Sequence, residues 1–491
     1  MKLNISVIGA GIGGIASAIR LAVRGHAVTV YEQASAPGGK MGELRRDGYR
    51  WDAGPSLFTL PELMEELYML ADEEMKVSAR YNQLDIITKY FYEDGLVLNA
   101  YGDPEAFIAE VAAKTGEKAS RIRRFLRKSR KMYELTRDVF IFGSFQAWRT
   151  FVSAKFMRSL LQIYRLEVLS TMHGANSRRF RSPHLVQLFD RYATYNGSDP
   201  YRAPGTLNVI SHLEHNLGAY FPEKGMYTLA KELYRLAERV GVKFVFNTRV
   251  DRVVLHDQRV GGVEVNCEVH AADLVVSDVD IYYLYKDLLT DLPFPRKYFK
   301  PERSTSAMIF YWAVDRQFPE LELHNLFFSA AYAEEFRHLF ESKTIIDDPT
   351  VYLFISSKLV EGDAPHGCEN WFVMINVPEN VGQDWDAAVE TVRENVIVKL
   401  ERILGTGIRR HIKHETVRDP RHIEQETFSY RGSLYGNSSN SSMAAFNRHP
   451  NHRKDLKGLY FVGGSVHPGG GVPLCLASAE IVDRLVMEHY G

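Results

Sequence analysis

The sequence predicts an α/β fold in which one parallel sheet is assembled from distant parts of the chain. Three observations predict it: a strand–glycine turn–helix–strand unit at residues 5–32, a second run of α/β periodicity after residue 220, and an apolar strand at 459–462 that runs into a glycine loop and a helix. At 491 residues and 45% hydrophobic content, the chain has room for two or three domains with sizeable cores.

Residues 5–8 are a short apolar strand, residues 15–23 a helix that Gly25 can close, and residues 27–31 a second strand. Between the first two, Gly9, Gly11 and Gly14 form G-x-G-x-x-G. Gly9 permits the tight turn, Gly11 lets a pyrophosphate approach the backbone, and Gly14 lets helix and strand pack closely. The helix N-terminus offers free N–H groups and the positive end of its dipole to phosphate. Glu32, 23 positions after Gly9, ends the second strand. It can accept the ribose hydroxyls, and its charge repels a 2′-phosphate. The whole unit reads as a Rossmann-like dinucleotide-binding βαβ.

Residues 36–56 are tight loops around short strands, and Lys40 can neutralise a cofactor phosphate. Residues 61–140 read as mostly helical, interrupted by strand-like runs at 86–98. Residues 141–217 read as helical, with a loop at Asn196-Gly-Ser-Asp-Pro. The second α/β passage predicts a helix at 226–240, strands at 243–246, 248–254 and 274–276, and a hairpin at Gly261-Gly-Val. Strands follow at 304–314, 350–357 and 371–377, then a helix over 384–404. The last helix, 474–489, carries Pro473 in its first turn. A strand, a glycine loop and a helix N-terminus form a second place for an anion or a flavin carbonyl. Two such corners far apart in sequence suit one extended cofactor, FAD rather than NAD, because NAD needs only the first unit and its partner strands.

Net charge is −1, so overall charge does not call for nucleic acid. The local distribution is uneven: residues 114–181 hold 17 Lys or Arg and four acids. Ile122, Phe125, Leu126, Met132, Tyr133, Val139 and Phe140 share one helical face. Phe145, Trp148, Phe151, Phe156 and Tyr164 follow among further basic residues. A basic, aromatic-rich helical segment suits an anionic membrane surface, and a solvated basic face on core-packed helices is the competing reading. The three cysteines have no metal-ligand spacing, no metal is expected, and they point to the reducing cytoplasm. No window is apolar enough to span a bilayer.

The motifs Gly9-Ala-Gly-Ile-Gly-Gly, Pro37-Gly-Gly-Lys, Gly48-Tyr-Arg-Trp-Asp-Ala-Gly-Pro-Ser and Leu459-Tyr-Phe-Val-Gly-Gly-Ser-Val-His-Pro-Gly-Gly-Gly-Val-Pro resemble the bacterial carotenoid (phytoene-type) desaturases over essentially the full length. The first three are shared with many flavin amine oxidases, whereas the last is far more specific. Asp52-Ala-Gly-Pro-Ser-Leu-Phe-Thr-Leu-Pro and Phe189-Asp-Arg-Tyr-Ala-Thr-Tyr-Asn-Gly-Ser resemble most the 1-hydroxycarotenoid 3,4-desaturases. One departure is Pro222-Glu-Lys-Gly, where the family often has Pro-x-Gly-Gly before a third cofactor-contacting helix.

The resemblance implies a discontinuous Rossmann-like FAD-binding domain of the flavin amine oxidase type (1–80, 220–295, 455–491), a mixed-sheet substrate domain (81–103, 296–454) and a helical, membrane-contacting lid (104–219). It implies FAD contacts at Glu32, Gly39, Lys40, Pro55, Ser56, Val250, Gly464, Val472 and Pro473, beside Gly9, Gly11 and Gly14. It implies a carotenoid substrate drawn from the cytoplasmic membrane by peripheral contact, and an electron acceptor that the residues do not name. The expected reaction is 3,4-desaturation of a 1-hydroxycarotenoid by hydride transfer to flavin, with phytoene desaturation or redox-neutral carotenoid isomerisation as alternatives. Arg191, in a cluster with Tyr192, Tyr195 and Asn196, is the catalytic candidate facing the flavin or the substrate hydroxyl. A structural ion pair with Asp190, Asp199 or Glu214 is the competing expectation. His212, His215 and His467 are candidate proton acceptors.

Overall fold

Five parallel strands form the sheet that carries both glycine corners, in the order Leu459–Phe461, Leu274–Ser277, Asn4–Ile8, Ala27–Tyr31, Lys243–Val245. The computed structural model describes residues 1–75, 79–137, 143, 166–444 and 447–491. Asn4–Ile8 is central, with Val7 fully buried, because helices cover both faces of a parallel sheet. The helix after it, Ile12–Val23, begins three residues earlier than its apolar periodicity predicts. Gly11 is its N-cap and Gly13 and Gly14 lie in its first turn, which brings its free N–H groups up to the loop. Val472–Tyr490 and Tyr227–Arg239 both pack against this helix. Residues near 12 and near 480 are thus direct neighbours.

A second sheet of seven strands runs Ile412–Arg418, Ser306–Val314, Glu369–Val377, Val351–Phe354, His324–Phe327, Ile86–Phe91, Val97–Tyr101. Only the His324–Phe327/Ile86–Phe91 pair is parallel, so the sheet is mixed. Side chains alternate between its faces. Met308, Phe310 and Trp312 turn toward the long helix Trp385–Leu404, whose Trp385, Val392, Val396 and Leu400 complete one core. Ala307, Ile309 and Tyr311, with Phe372, turn to the opposite side and join the main core.

Two expectations are corrected. Gly261 and Gly262 do not make a hairpin turn; they lie inside the strand Arg259–Val265, the middle of a three-stranded antiparallel sheet. Its turns are at Asp257 and at Asn266–Cys267, which take positive φ. A register shift at Val254/Leu255 faces the glycines, and a Cβ on Gly262 would lie 2.1 Å from the His270 carbonyl oxygen. The glycines mark a bulge and a close backbone approach. The strand expected at 248–254 is instead Arg252–His256.

In the basic region, Ala119–Thr136 is a helix that buries Ile122, Phe125, Leu126, Met132 and Tyr133 and exposes Arg123, Arg124, Arg127, Arg130 and Lys131. Val139, Phe140 and the aromatic run Phe145, Trp148, Phe151, Phe156 and Tyr164 lie outside the described residues. Among the described residues no helix is long and apolar enough to cross a membrane.

Candidate functional site

A cavity of about 1040 Å³ lies between the two sheets, and both glycine corners open onto it. From the first corner come Gly9, Gly11 and Glu32; from the loops after it come Gly39, Lys40, Pro55 and Ser56; Val250 follows from the second α/β passage; Gly464, Val472 and Pro473 come from the last. Each sequence-predicted cofactor residue except Gly14 borders the cavity. Gly14 sits beneath the loop, where a Cβ would lie 2.2 Å from the Gly9 carbonyl oxygen. Its role is the close helix–strand approach, not a ligand contact.

The loops leave no room for side chains. A Cβ on Gly38 would lie 2.2 Å from the Met41 carbonyl oxygen, and one on Gly54 2.0 Å from that of Lys40. Glu32 organises the turn, accepting the Ala10 N–H at 2.7 Å and the Ala34 N–H at 2.8 Å. Lys40 Nζ donates to the Leu434 carbonyl at 3.1 Å, and desolvation in the cavity wall lowers its pKa. The cradle fits an extended dinucleotide: backbone-lined at both ends, with the Glu32 carboxylate at the end of the second strand and one ammonium group in the wall.

Sequence reasoning missed Asp278. It follows the buried strand Leu274–Ser277, and its Oδ2 accepts the Gly14 N–H at 2.9 Å. A Cβ on Gly11 would lie 2.4 Å from that oxygen, and one on Gly463 2.0 Å from Oδ1. One carboxylate therefore needs glycine on both corners. Desolvation raises its pKa to about 7. The available signal was the Ser277-Asp278 ending of an apolar strand beside the first one.

The third helix starts on a carboxylate, and its Tyr227 borders the cavity. At Tyr227–Arg239, the Met226 and Tyr227 N–H groups both donate to Asp52 at 2.9 Å. Asp52 is ion-paired to buried Arg50, which also reaches Glu43 at 2.8 Å and Asp363 at 3.1 Å. The single glycine Gly225, at φ +83°, leaves space for Arg50: a Cβ there would lie 2.4 Å from its Nη1. This helix start is occupied by the protein's own carboxylate.

Beyond the cradle the cavity continues between apolar walls that include Ile309, Leu326, Phe336, Phe372 and Met374. Arg191 borders this part. It is buried, donates to Tyr90 Oη at 3.1 Å, and sits 5.2–5.8 Å from the ring centres of Tyr90, Tyr192 and Tyr195. The competing ion pair is not formed. Asp190 takes His173 and Asn176, Asp199 accepts from the Tyr201 N–H, and Glu214 takes the hydroxyls of Tyr192 and Tyr195. Desolvation opposes the Arg191 charge, yet Tyr195, Tyr90 and Glu214 hold its pKa above the ordinary value.

The three candidate histidines do not border the cavity. His215 bonds to Tyr192 Oη at 2.8 Å and stacks on Phe107, His212 packs against Tyr133, and His467 Nε2 meets the Gly143 carbonyl at 2.8 Å. Desolvation pushes all three down to about 4. A different histidine, His324, does border it. Its Nδ1 is 2.8 Å from Tyr352 Oη, which is 2.6 Å from Ser56 Oγ. Desolvation, then the Arg191 charge, pushes His324 down to about 3.

Comparison with known proteins agrees with this arrangement. Residues 12–484 match the family of flavin containing amine oxidoreductases. The chain is 43% identical over 480 residues to a 1-hydroxycarotenoid 3,4-desaturase of a Flavobacterium species, covering 98% of each chain. It is 31% identical to a 4,4'-diapolycopene oxygenase of a Methylomonas species, covering 99% of this chain and 98% of that one. Among solved structures, a redesigned putrescine oxidase shares the fold with a TM-score of 0.65 at 13% identity, covering 100% of this chain and 99% of that one. An oxidoreductase from Methanosarcina mazei does so with a TM-score of 0.62 at 16% identity, covering 99% and 100%. A glycine cradle shared by both ends of the chain and a family match spanning nearly all of it lead to one conclusion: the chain belongs to the flavin containing amine oxidoreductases and is an FAD-dependent oxidoreductase.

Proposed function

We propose that the protein is a carotenoid desaturase, and that its reaction is 3,4-desaturation of an acyclic 1-hydroxycarotenoid. The observation that carries this reading is the continuity of a dinucleotide cradle with an apolar chamber whose wall holds one buried arginine outside any ion pair among the described residues. The 43% identity to a protein of that activity supports the specific form. Gly9, Gly11, Glu32, Gly39, Lys40, Pro55, Ser56, Val250, Gly464, Val472 and Pro473 hold the FAD, with Gly14 packed beneath them.

Bound FAD supplies a hydride acceptor. The apolar walls exclude water and align the polyene, whose conjugation delocalises the cation left when an allylic hydride departs. The guanidinium of Arg191 donates one described hydrogen bond, to Tyr90, and its other donors serve the tertiary hydroxyl of the substrate end. A buried donor left unpaired costs about 1–3 kcal/mol, so a carotenoid without the hydroxyl binds more weakly.

Such a substrate resides in the bilayer. Arg124, Arg127 and Lys131 lie on the exposed side of Ala119–Thr136, and none forms an ion pair with a described residue. They support peripheral binding of the basic region to an anionic cytoplasmic membrane, weakening as salt rises.

Expression in a host that makes hydroxylated acyclic carotenoids, followed by chromatography and mass spectrometry, tests the reading. The expected product is lighter by two hydrogens. Conversion of colourless phytoene moves the assignment to phytoene desaturation, and a product of unchanged mass moves it to isomerisation. Liposome flotation tests the membrane contact; equal binding to neutral and anionic vesicles overturns it.

A further inference from the structure

Ser56, Tyr352 and His324 form a hydrogen-bonded row along the cavity wall, from the cradle loop into the seven-stranded sheet. We propose that Tyr352 and His324 are a catalytic dyad that removes the proton lost in desaturation: Tyr352 Oη accepts it while passing its own hydroxyl proton to His324 Nδ1. The inference rests on the desaturase reading above and identifies the base which that reading lacks.

The reaction removes two hydrogens from adjacent carbons. One leaves as hydride, with both electrons, to the flavin. The other must leave as a proton, so that its C–H electron pair becomes the second bond of the new alkene. That proton forms an O–H bond on Tyr352. The original Tyr352 O–H breaks with its electrons staying on oxygen, and the Nδ1 lone pair of His324 takes the released proton. The phenol ends neutral and the imidazole ends as imidazolium.

The geometry suits this order of events. Both side chains border the cavity; Tyr352 is part-buried and His324 is 1% exposed. His324 stacks on Phe354 at 5.2 Å and meets Phe221 edge-on, which fixes its ring. Its Nε2 is buried with no hydrogen-bond partner among the described residues. Tyr352 donating to Nδ1 leaves the ring's own hydrogen on Nε2, so Nδ1 is the lone pair that receives. The seven carboxylates in the cavity wall are engaged elsewhere: Glu335 by Thr350, Asp278 by Gly14, Glu32 by Ala10 and Ala34, Glu43 by Arg50, Asp280 by Tyr282 and Arg303, Asp287 by Arg249 and Glu426 by Arg418.

A strong base is not needed. A C–H bond beside a carbocation is highly acidic once hydride has left, so the requirement is an acceptor that is unprotonated, dry and in place. Burial and the Arg191 charge push His324 down to about 3, so its ring rests neutral near pH 7. That low value also ensures that the proton is released once product departs and water enters.

The test uses the purified holoprotein with an acyclic 1-hydroxycarotenoid under anaerobic conditions. Flavin bleaching and product formation are expressed per bound flavin, so reduced loading does not register as lost chemistry. Tyr352→Phe and His324→Gln are expected to slow product formation by about 10²-fold or more. Substrate deuterated at the proton-losing carbon is expected to show a larger isotope effect in both variants than in the parent. Gln retains an acceptor for the Tyr352 hydroxyl but cannot become a cation. If His324→Gln works within about threefold of the parent with an unchanged isotope effect, His324 only positions Tyr352 and the dyad is refuted. Parent protein that neither bleaches nor converts the carotenoid overturns the desaturase reading, and the dyad with it.

Discussion

Arg50→Ala removes the one cation shared by three carboxylates, Glu43, Asp52 and Asp363, at the start of the helix Tyr227–Arg239. Arg50 is 5% exposed, and Asp52 and Asp363 are 1% and 2% exposed. Without Arg50, two buried carboxylates face each other with no countercharge, and breaking such a pair costs about 3–5 kcal/mol. Unfolding entropy near ~2.1 cal/mol/K per residue gives about 1 kcal/mol/K for a 491-residue chain. The expected fall in Tm is therefore about 3–5 °C. The loss has a pH signature. Burial alone would raise the Glu43 carboxyl, but hydrogen bonds from Arg50, Arg45 and Lys231 outweigh it and hold it at about 2, below its ordinary 4.5. A depressed carboxyl stabilises the fold above its unfolded pKa, and that stability is lost as pH falls through the folded value. In the variant, acid instead relieves the stranded carboxylates by protonating them. The gap in Tm between parent and variant is thus expected to be widest at neutral pH and to narrow as pH falls from about 4.5 toward 2, where Glu43 of the parent protonates. Differential scanning fluorimetry across that range measures it. A variant within 1 °C of the parent at pH 7, or a gap that widens in acid, refutes the reasoning.

Other outcomes follow from the same geometry. Gly14→Ala drives a methyl group to 2.2 Å from the Gly9 carbonyl oxygen, and overpacking of this kind costs about 1–3 kcal/mol or more; purified protein is expected to lack flavin absorbance, while a variant with full flavin content shows that the helix and loop can separate. Asp278 has a folded pKa raised to about 7 from 3.8, so it contributes stability below its unfolded pKa that is lost as pH rises through about 7. Its ionised form also repels a pyrophosphate at the same corner, and FAD affinity measured by fluorescence quenching is expected to fall across pH 6–8 in the parent and to stay flat in Asp278→Asn. Glu32→Ala removes two backbone contacts and a charged partner for the ribose, with an expected loss of about 10–100-fold in FAD affinity by the same titration. Arg191→Leu is expected to raise KM for the hydroxylated carotenoid while leaving FAD content unchanged; altered FAD content with unchanged KM would place Arg191 with the cofactor.

Most of the cradle was legible because each feature is local. G-x-G-x-x-G, the acid 23 positions later and Pro473 after a glycine run all encode backbone geometry that only a few residue types permit. The mixed sheet was legible in part: residues 306–314 and 369–377 are long apolar runs, whereas Ile412–Arg418 is polar, lies at the sheet edge and gave no period. The bulge at Gly262 was misread as a turn because glycine serves both, and the difference is set by a strand paired across the sheet. How Asp278, Asp52, Tyr352 and His324 are paired was not legible for a related reason. Their partners lie 264, 174 and 28 positions away, and nothing in local pattern reports such meetings. Arg191 could be singled out by its tyrosine neighbours, but the absence of an ion pair emerged only once Glu214 was seen to be taken by two hydroxyls.

The helix Val472–Tyr490 lies against Ile12–Val23, and the loop ahead of it closes the cradle that residues 9–14 begin. During synthesis, the first corner leaves the ribosome long before the second exists. A nascent chain therefore presents half a binding surface, which cannot retain its prosthetic group. A complete cradle exists only after translation has passed residue 473.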